Sequence, residues 1–132
     1  MSHNTLFTLA TEIEINDTEP VLGVSFSDNT NGSDVQSGQI IQYTLAISNT
    51  GLDATGVSAI AAIDSNLNAP YGFTYSSCGS VSQSFASSTL TFSDISITSG
   101  NTCTITYYAQ VDFATPSTAT ITASVDVSQA SE

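Results

Sequence analysis

Gly38-Gln39-Ile40-Ile41-Gln42-Tyr43-Thr44-Leu45-Ala46-Ile47-Ser48-Asn49-Thr50-Gly51 decides how the rest of the chain reads. Ile41, Tyr43, Leu45 and Ile47 recur at every second position, with Gln42, Thr44 and Ser48 between them, which is the pleat of a strand with one buried face. A helix would need apolar residues about 3.6 apart, and that spacing is absent. Asn49-Thr50-Gly51 closes the run with residues that favour turns. The stretch carries no charge, as expected of a strand central in its sheet.

Thr102 to Phe113 alternates in the same way, with Cys103, Ile105, Tyr107, Ala109, Val111 and Phe113 on one side. Val21 to Ser27, Gly56 to Asp64, the alternating Tyr71, Phe73 and Tyr75, Thr89 to Asp94, and Thr118 to Val127 supply further strands. In the last of these Ala119, Ile121, Ala123, Val125 and Val127 should point inward. Gly79 to Ser88 reads as a polar connection over a tucked Phe85. Seven short strands with regular turn signals predict an all-β fold, an immunoglobulin-like antiparallel β-sandwich over residues 21–132.

Thr5 to Ile15 is then one strand too many. Phe7, Leu9, Thr11, Ile13 and Ile15 share a face, and Asn16-Asp17-Thr18-Glu19-Pro20 separates them from the sandwich as a linker. Residues 1–20 are therefore expected to form an extra N-terminal strand and its tether. Such an apolar face is poorly tolerated in water and should pair, either on the edge of its own sandwich or with a neighbouring copy by β-strand addition. The second choice makes Phe7, Leu9, Thr11, Ile13 and Ile15 a subunit interface and gives a head-to-tail homopolymer.

The chain has no Lys or Arg against 12 Asp and Glu, a formal net charge of −12. A nucleic-acid partner is nearly excluded, because phosphate is neutralised by cationic side chains, and anionic membrane surfaces are disfavoured for the same reason. No run is long and apolar enough for a membrane-spanning helix. The start of the chain lacks the cationic and apolar parts of a signal peptide, so a secreted protein would be present here in mature form.

Cys78 and Cys103 are the only cysteines, and each lies beside a strand. A disulfide between them is expected, which implies an oxidising compartment; the other reading is two free thiols in a reducing one. Asp28-Asn29-Thr30-Asn31-Gly32-Ser33-Asp34 collects turn formers whose oxygens suit calcium, with Asp28, Asn29, Asn31 and Asp34 as candidate ligands. The alternative is a solvated turn, since the EF-hand spacing is incomplete. His3 is the only histidine and lies near a terminus, so neither a catalytic triad nor a zinc set is expected, and the protein reads as no enzyme. Tyr71, Tyr75 and Tyr108 could offer stacking platforms to a glycan.

Tyr43-Thr44-Leu45, Ser48-Asn49-Thr50-Gly51 and Ala54-Thr55-Gly56-Val57 resemble a conserved-repeat family of bacterial and archaeal cell-surface proteins, known as domain of unknown function eleven. Ser77-Cys78-Gly79, Gly100-Asn101-Thr102-Cys103-Thr104-Ile105-Thr106 and Ala119-Thr120-Ile121-Thr122-Ala123-Ser124-Val125 match its second half in order. The resemblance implies an extracellular, cell-surface immunoglobulin-like module acting in stalks, adhesins or surface layers. Ala61-Ala62-Ile63-Asp64 departs from the more polar stretch usual there, and one repeat stands where arrays are common. Combined with the surplus strand, these readings lead to a cell-surface filament subunit, with a monomeric stalk or adhesin module as the alternative.

Overall fold

The computed structural model describes residues 19–30 and 32–129. The N-terminal strand expected at residues 5–15 lies outside them. The described residues form eight strands and no helix: β1 (Leu22–Asp28), β2 (Ile40–Asn49), β3 (Ala54–Ile63), β4 (Tyr71–Ser76), β5 (Ser82–Ala86), β6 (Thr89–Ile97), β7 (Thr102–Gln110) and β8 (Ala123–Gln129).

The strands make two four-stranded antiparallel sheets, in the orders β1-β2-β7-β4 and β5-β6-β3-β8. The organising stretch is β2, held between β1 and β7, and its Ile41, Tyr43, Leu45 and Ile47 are all buried. The all-β sandwich is therefore the architecture. Its strand order is not that of an immunoglobulin constant domain, in which the second strand pairs with the fifth and the sixth with the seventh. Here β2 pairs with β7, and β3 lies between β6 and β8.

The core is aromatic down its middle. Phe26 stacks on Tyr43 with ring centroids 5.8 Å apart, Tyr43 on Tyr107 at 5.3 Å, and Tyr107 meets Phe92 of the other sheet at 6.0 Å. Ala54, Ala59 and Ala61 of β3 are buried in the same core. Small side chains in one layer leave room for rings in the next, which suits close packing.

Sheet irregularities account for the strands that sequence misses. In β6, Leu90 and Phe92 point inward, and so do Ile95 and Ile97, although strict alternation would separate the two pairs. Asp94 takes a φ of 60°, and the pairing with β3 shifts register between Val57 and Ala59. The bulge inserts an extra residue and restores the inward phase, so β6 continues past Asp94 to Ile97.

The expected polar connection from Gly79 to Ser88 contains β5, paired with β6 from Ser82↔Ser93 to Ala86↔Thr89. Ser87 and Ser88 both have positive φ, 51° and 63°, the backbone of a tight hairpin usually signalled by Asn-Gly. Phe85 is correspondingly exposed on this strand rather than tucked beneath a loop. Phe113 is also outside the core, at 73% exposure, because β7 stops at Gln110 and Asp112 opens a turn by accepting the Ala114 N–H at 2.8 Å. Its ring lies so close to Gly38 that a Cβ there would sit 2.4 Å from Phe113 Cε1. Likewise the final strand begins at Ala123 rather than Thr118, and Ala119 and Ile121 are only half-buried.

Candidate functional site

The two lateral sides of the sandwich differ. On one side β4 and the connection after it are fastened to the core: Cys78 and Cys103 form a disulfide with S–S 2.04 Å and Cα–Cα 4.6 Å, both residues being buried. The Ser96 N–H donates to the Cys78 carbonyl at 2.9 Å, and Phe73 and Tyr75 of β4 pack edge-on against Phe92 across the sandwich. The disulfide expected from sequence is thus present in the structure.

The other side lies between β1 and β8, the outermost described strands of their sheets, which approach each other without pairing. Inward-facing Leu22, Val24 and Phe26 of β1 are only half-buried, as are Val35, Ile121 and Ala123 farther along the same side. Towards the Asp28 end this seam widens into a groove of about 1440 Å³, lined among others by Val35, Tyr43, Ile63, Val111 and Ile121. Tyr43 is 3% exposed, and its phenol has no hydrogen-bond partner among the described residues. Burial pushes the phenol's pKa up to about 12, and the negative charges of Asp28 and Asp64 add to the effect.

Asp64 sits at the groove's rim. Burial works against its ionisation, but the Thr122 and Asn66 N–H groups and the Thr122 hydroxyl donate to its carboxylate and hold it below the usual range. This is a structural tie between the end of β3 and the chain entering β8.

The opposite pole carries the anchor of the N-terminal segment. Asn49 is 1% exposed, and its carboxamide makes four hydrogen bonds. Oδ1 accepts from Val21 N–H at 3.2 Å and Gly51 N–H at 2.9 Å, while Nδ2 donates to the carbonyls of Leu52 at 2.6 Å and Ile97 at 2.9 Å. The Leu52 N–H in turn donates to the Glu19 carbonyl at 3.1 Å, and the Thr50 N–H to that of Val21 at 3.0 Å. Gly51 permits this crossing, since a Cβ there would fall 2.3 Å from the Glu19 oxygen. The Asn-Thr-Gly turn is therefore a clamp on residues 19–21. From Asn49 back to Ile41 in the groove, β2 spans about 27 Å.

No protein-family model and no curated protein matches the chain.

Phe7, Leu9, Thr11, Ile13 and Ile15 lie outside the described residues, as does Asn31 of the calcium loop. Asp28 Oδ1 accepts the Thr30 N–H at 2.9 Å, and Asn29 Oδ1 accepts the Gln42 N–H at 3.1 Å, extending the β1–β2 ladder by one residue. Asp34 is exposed. Among the described residues no group of three His, Cys, Asp or Glu could hold a metal ion. Of the three tyrosines expected to suit glycan stacking, Tyr71 and Tyr108 meet on the outer face at 5.8 Å, whereas Tyr75, 39% exposed, lies edge-on to Phe92. They do not make one platform. No helix among the described residues is long and apolar enough to cross a membrane, and the disulfide suits an oxidising compartment.

Proposed function

We propose that this chain is a structural subunit of an extracellular cell-surface filament, in which each copy donates residues 5–15 to its neighbour by β-strand addition. The observation that carries this reading is the opposition of two poles. Residues 19–21 are held at the Asn49 clamp, and the groove opens at the other end of β2. A segment tethered at one end and a cleft at the other make a heterologous, head-to-tail contact, which builds an open polymer where its rotation does not close a ring.

The alternating apolar face of Phe7, Leu9, Ile13 and Ile15 supplies the surface that association would bury. The resemblance to the surface-repeat family and the disulfide support the extracellular setting. The reading assigns no catalytic chemistry, and its partner is a second copy of the chain. A monomeric stalk or adhesin module is the second reading, favoured by the exposed Tyr71 against Tyr108, a surface fit for a sugar ring.

Negative-stain microscopy and size-exclusion chromatography of the full chain, beside the full-length double variant Leu9→Asp, Ile13→Asp, test the proposal. Fibres from the unaltered chain and monomers from the variant are expected. Monomers from both, across low and high salt, overturn the filament and leave the stalk or adhesin module, to be followed on a glycan array.

A further inference from the structure

We infer that the seam between β1 and β8, together with the groove at its Asp28 end, is the acceptor site in which residues 5–15 of a second copy lie. This rests on the strand-donation reading above and specifies where on the acceptor the strand goes.

Four features of the seam fit that occupant. The first is geometry. Both strands beside it keep continuous registers, Leu22↔Asn49 to Asp28↔Tyr43 for β1 and Val57↔Gln129 to Ile63↔Ala123 for β8. Regular outer strands are templates for strand addition, whereas natural sheets blunt such edges with bulges or cover. On the opposite side β4 has a register shift between Tyr71 and Thr74, and β5 is a strand of only 5 residues.

The second is the pattern of burial. The half-covered apolar residues Leu22, Val24, Phe26, Val35, Ile121 and Ala123 all follow this side, while the stapled side carries half-buried Phe73 and Val81 and the more exposed Tyr75 and Phe85. An extended segment from residue 5 to 15 spans about 36 Å. That covers β1, about 23 Å long by the same rise, and continues into the groove.

The third is a polar match in a groove of mixed lining. Tyr43 is a largely buried residue that lines the groove, and its hydroxyl has no acceptor among the described residues. An inserted strand brings main-chain carbonyls at regular intervals, and one of them would accept this proton.

The fourth is charge. Asp28, Asp34 and Asp64 line the groove. The donor's proposed inward face, Phe7, Leu9, Thr11, Ile13 and Ile15, is uncharged, and Glu12 and Glu14 fall on its other face.

The seam is tested by cysteine cross-linking in the full chain. Ile121→Cys is combined in turn with Leu9→Cys, Thr11→Cys or Ile13→Cys, and Ser84→Cys on β5 replaces Ile121→Cys as the control. The native cysteines are paired and buried, so they do not compete. At least one Ile121 pair is expected to give a ladder of covalent oligomers on non-reducing gels, with none from the Ser84 pairs. In addition, Ile121→Glu should abolish fibres while leaving a folded monomer by circular dichroism.

Fibres without any Ile121 ladder, or fibres that survive Ile121→Glu, overturn the acceptor site and leave strand donation standing. A disulfide within single chains overturns it in favour of each copy filling its own seam. If the unaltered chain forms no fibres, the filament reading falls, and the acceptor site with it.

Discussion

The Val21 amide donates to the Asn49 carboxamide oxygen at 3.2 Å, joining the first described residues to the end of the central strand across 28 positions of sequence. The same carboxamide serves Gly51, Leu52 and Ile97, so one side chain settles four backbone groups from three segments. Asn49→Ala would leave these groups unpaired in a buried place, where each costs free energy. A loss of about 2–4 kcal/mol is expected, read from urea unfolding with an unchanged slope.

Gly51→Ala tests the crossing of the chain over that turn. The added carbon meets backbone, the Glu19 oxygen at 2.3 Å and the Val21 nitrogen at 2.7 Å, and neither is the movable tip of a side chain. Residues 19–21 should be displaced while the core persists. Amide hydrogen exchange should quicken at Val21 and Leu52 and stay slow at Leu45 and Ile105.

Removing the disulfide, as Cys78→Ser with Cys103→Ser, should cost about 2–4 kcal/mol. The staple lies on the side away from the seam. Under conditions where the variant remains folded, assembly should therefore proceed as in the unaltered chain, with fibre mass by turbidity as the readout.

Alkaline pH should act through Tyr43. Its folded pKa, raised from 10.0 to about 12, means that folding favours the neutral phenol; burial raises Tyr107 as well. The stabilisation is complete below pH 10, declines as pH rises from 10, and is lost through about 12. Thermal unfolding followed across that window should show a falling midpoint, and Tyr43→Phe should flatten the part of the decline due to this residue.

Salt should promote assembly. With a net charge of −12 per copy, approach of two subunits is opposed over a screening length of about 10 Å at 0.1 M ionic strength, falling to about 3 Å at 1 M. Light scattering should rise faster as sodium chloride is added. A rate indifferent to salt contradicts this.

What could be read from sequence follows from which signals survive in a linear pattern. β2 and β7 alternate without interruption, and nearly every inward residue named from their spacing is buried. Phe113 failed because alternation runs past the place where Asp112 turns the chain, and a turn made by one carboxylate leaves no trace in hydrophobic period. β5 was missed because Ser87-Ser88 forms a hairpin without the usual residues, and the end of β6 because Asp94 reverses the phase. The cysteine pair was legible from two strand-adjacent thiols. The clamp was half visible: Asn49 and Gly51 stood out as turn formers, but their hold on Glu19 and Val21 depends on three-dimensional crossing. The seam could not be seen at all, since it arises from which strands end each sheet, and strand order is not written in any single stretch.

In the proposed filament, the separation of the Glu19 anchor from the groove would also make a growing polymer directional. At one terminus a subunit would present an empty cleft, at the other an apolar strand with no host. The two termini would then add subunits by different encounters and at different rates, and a fibre could be stopped by a cap that supplies only a strand or only a cleft.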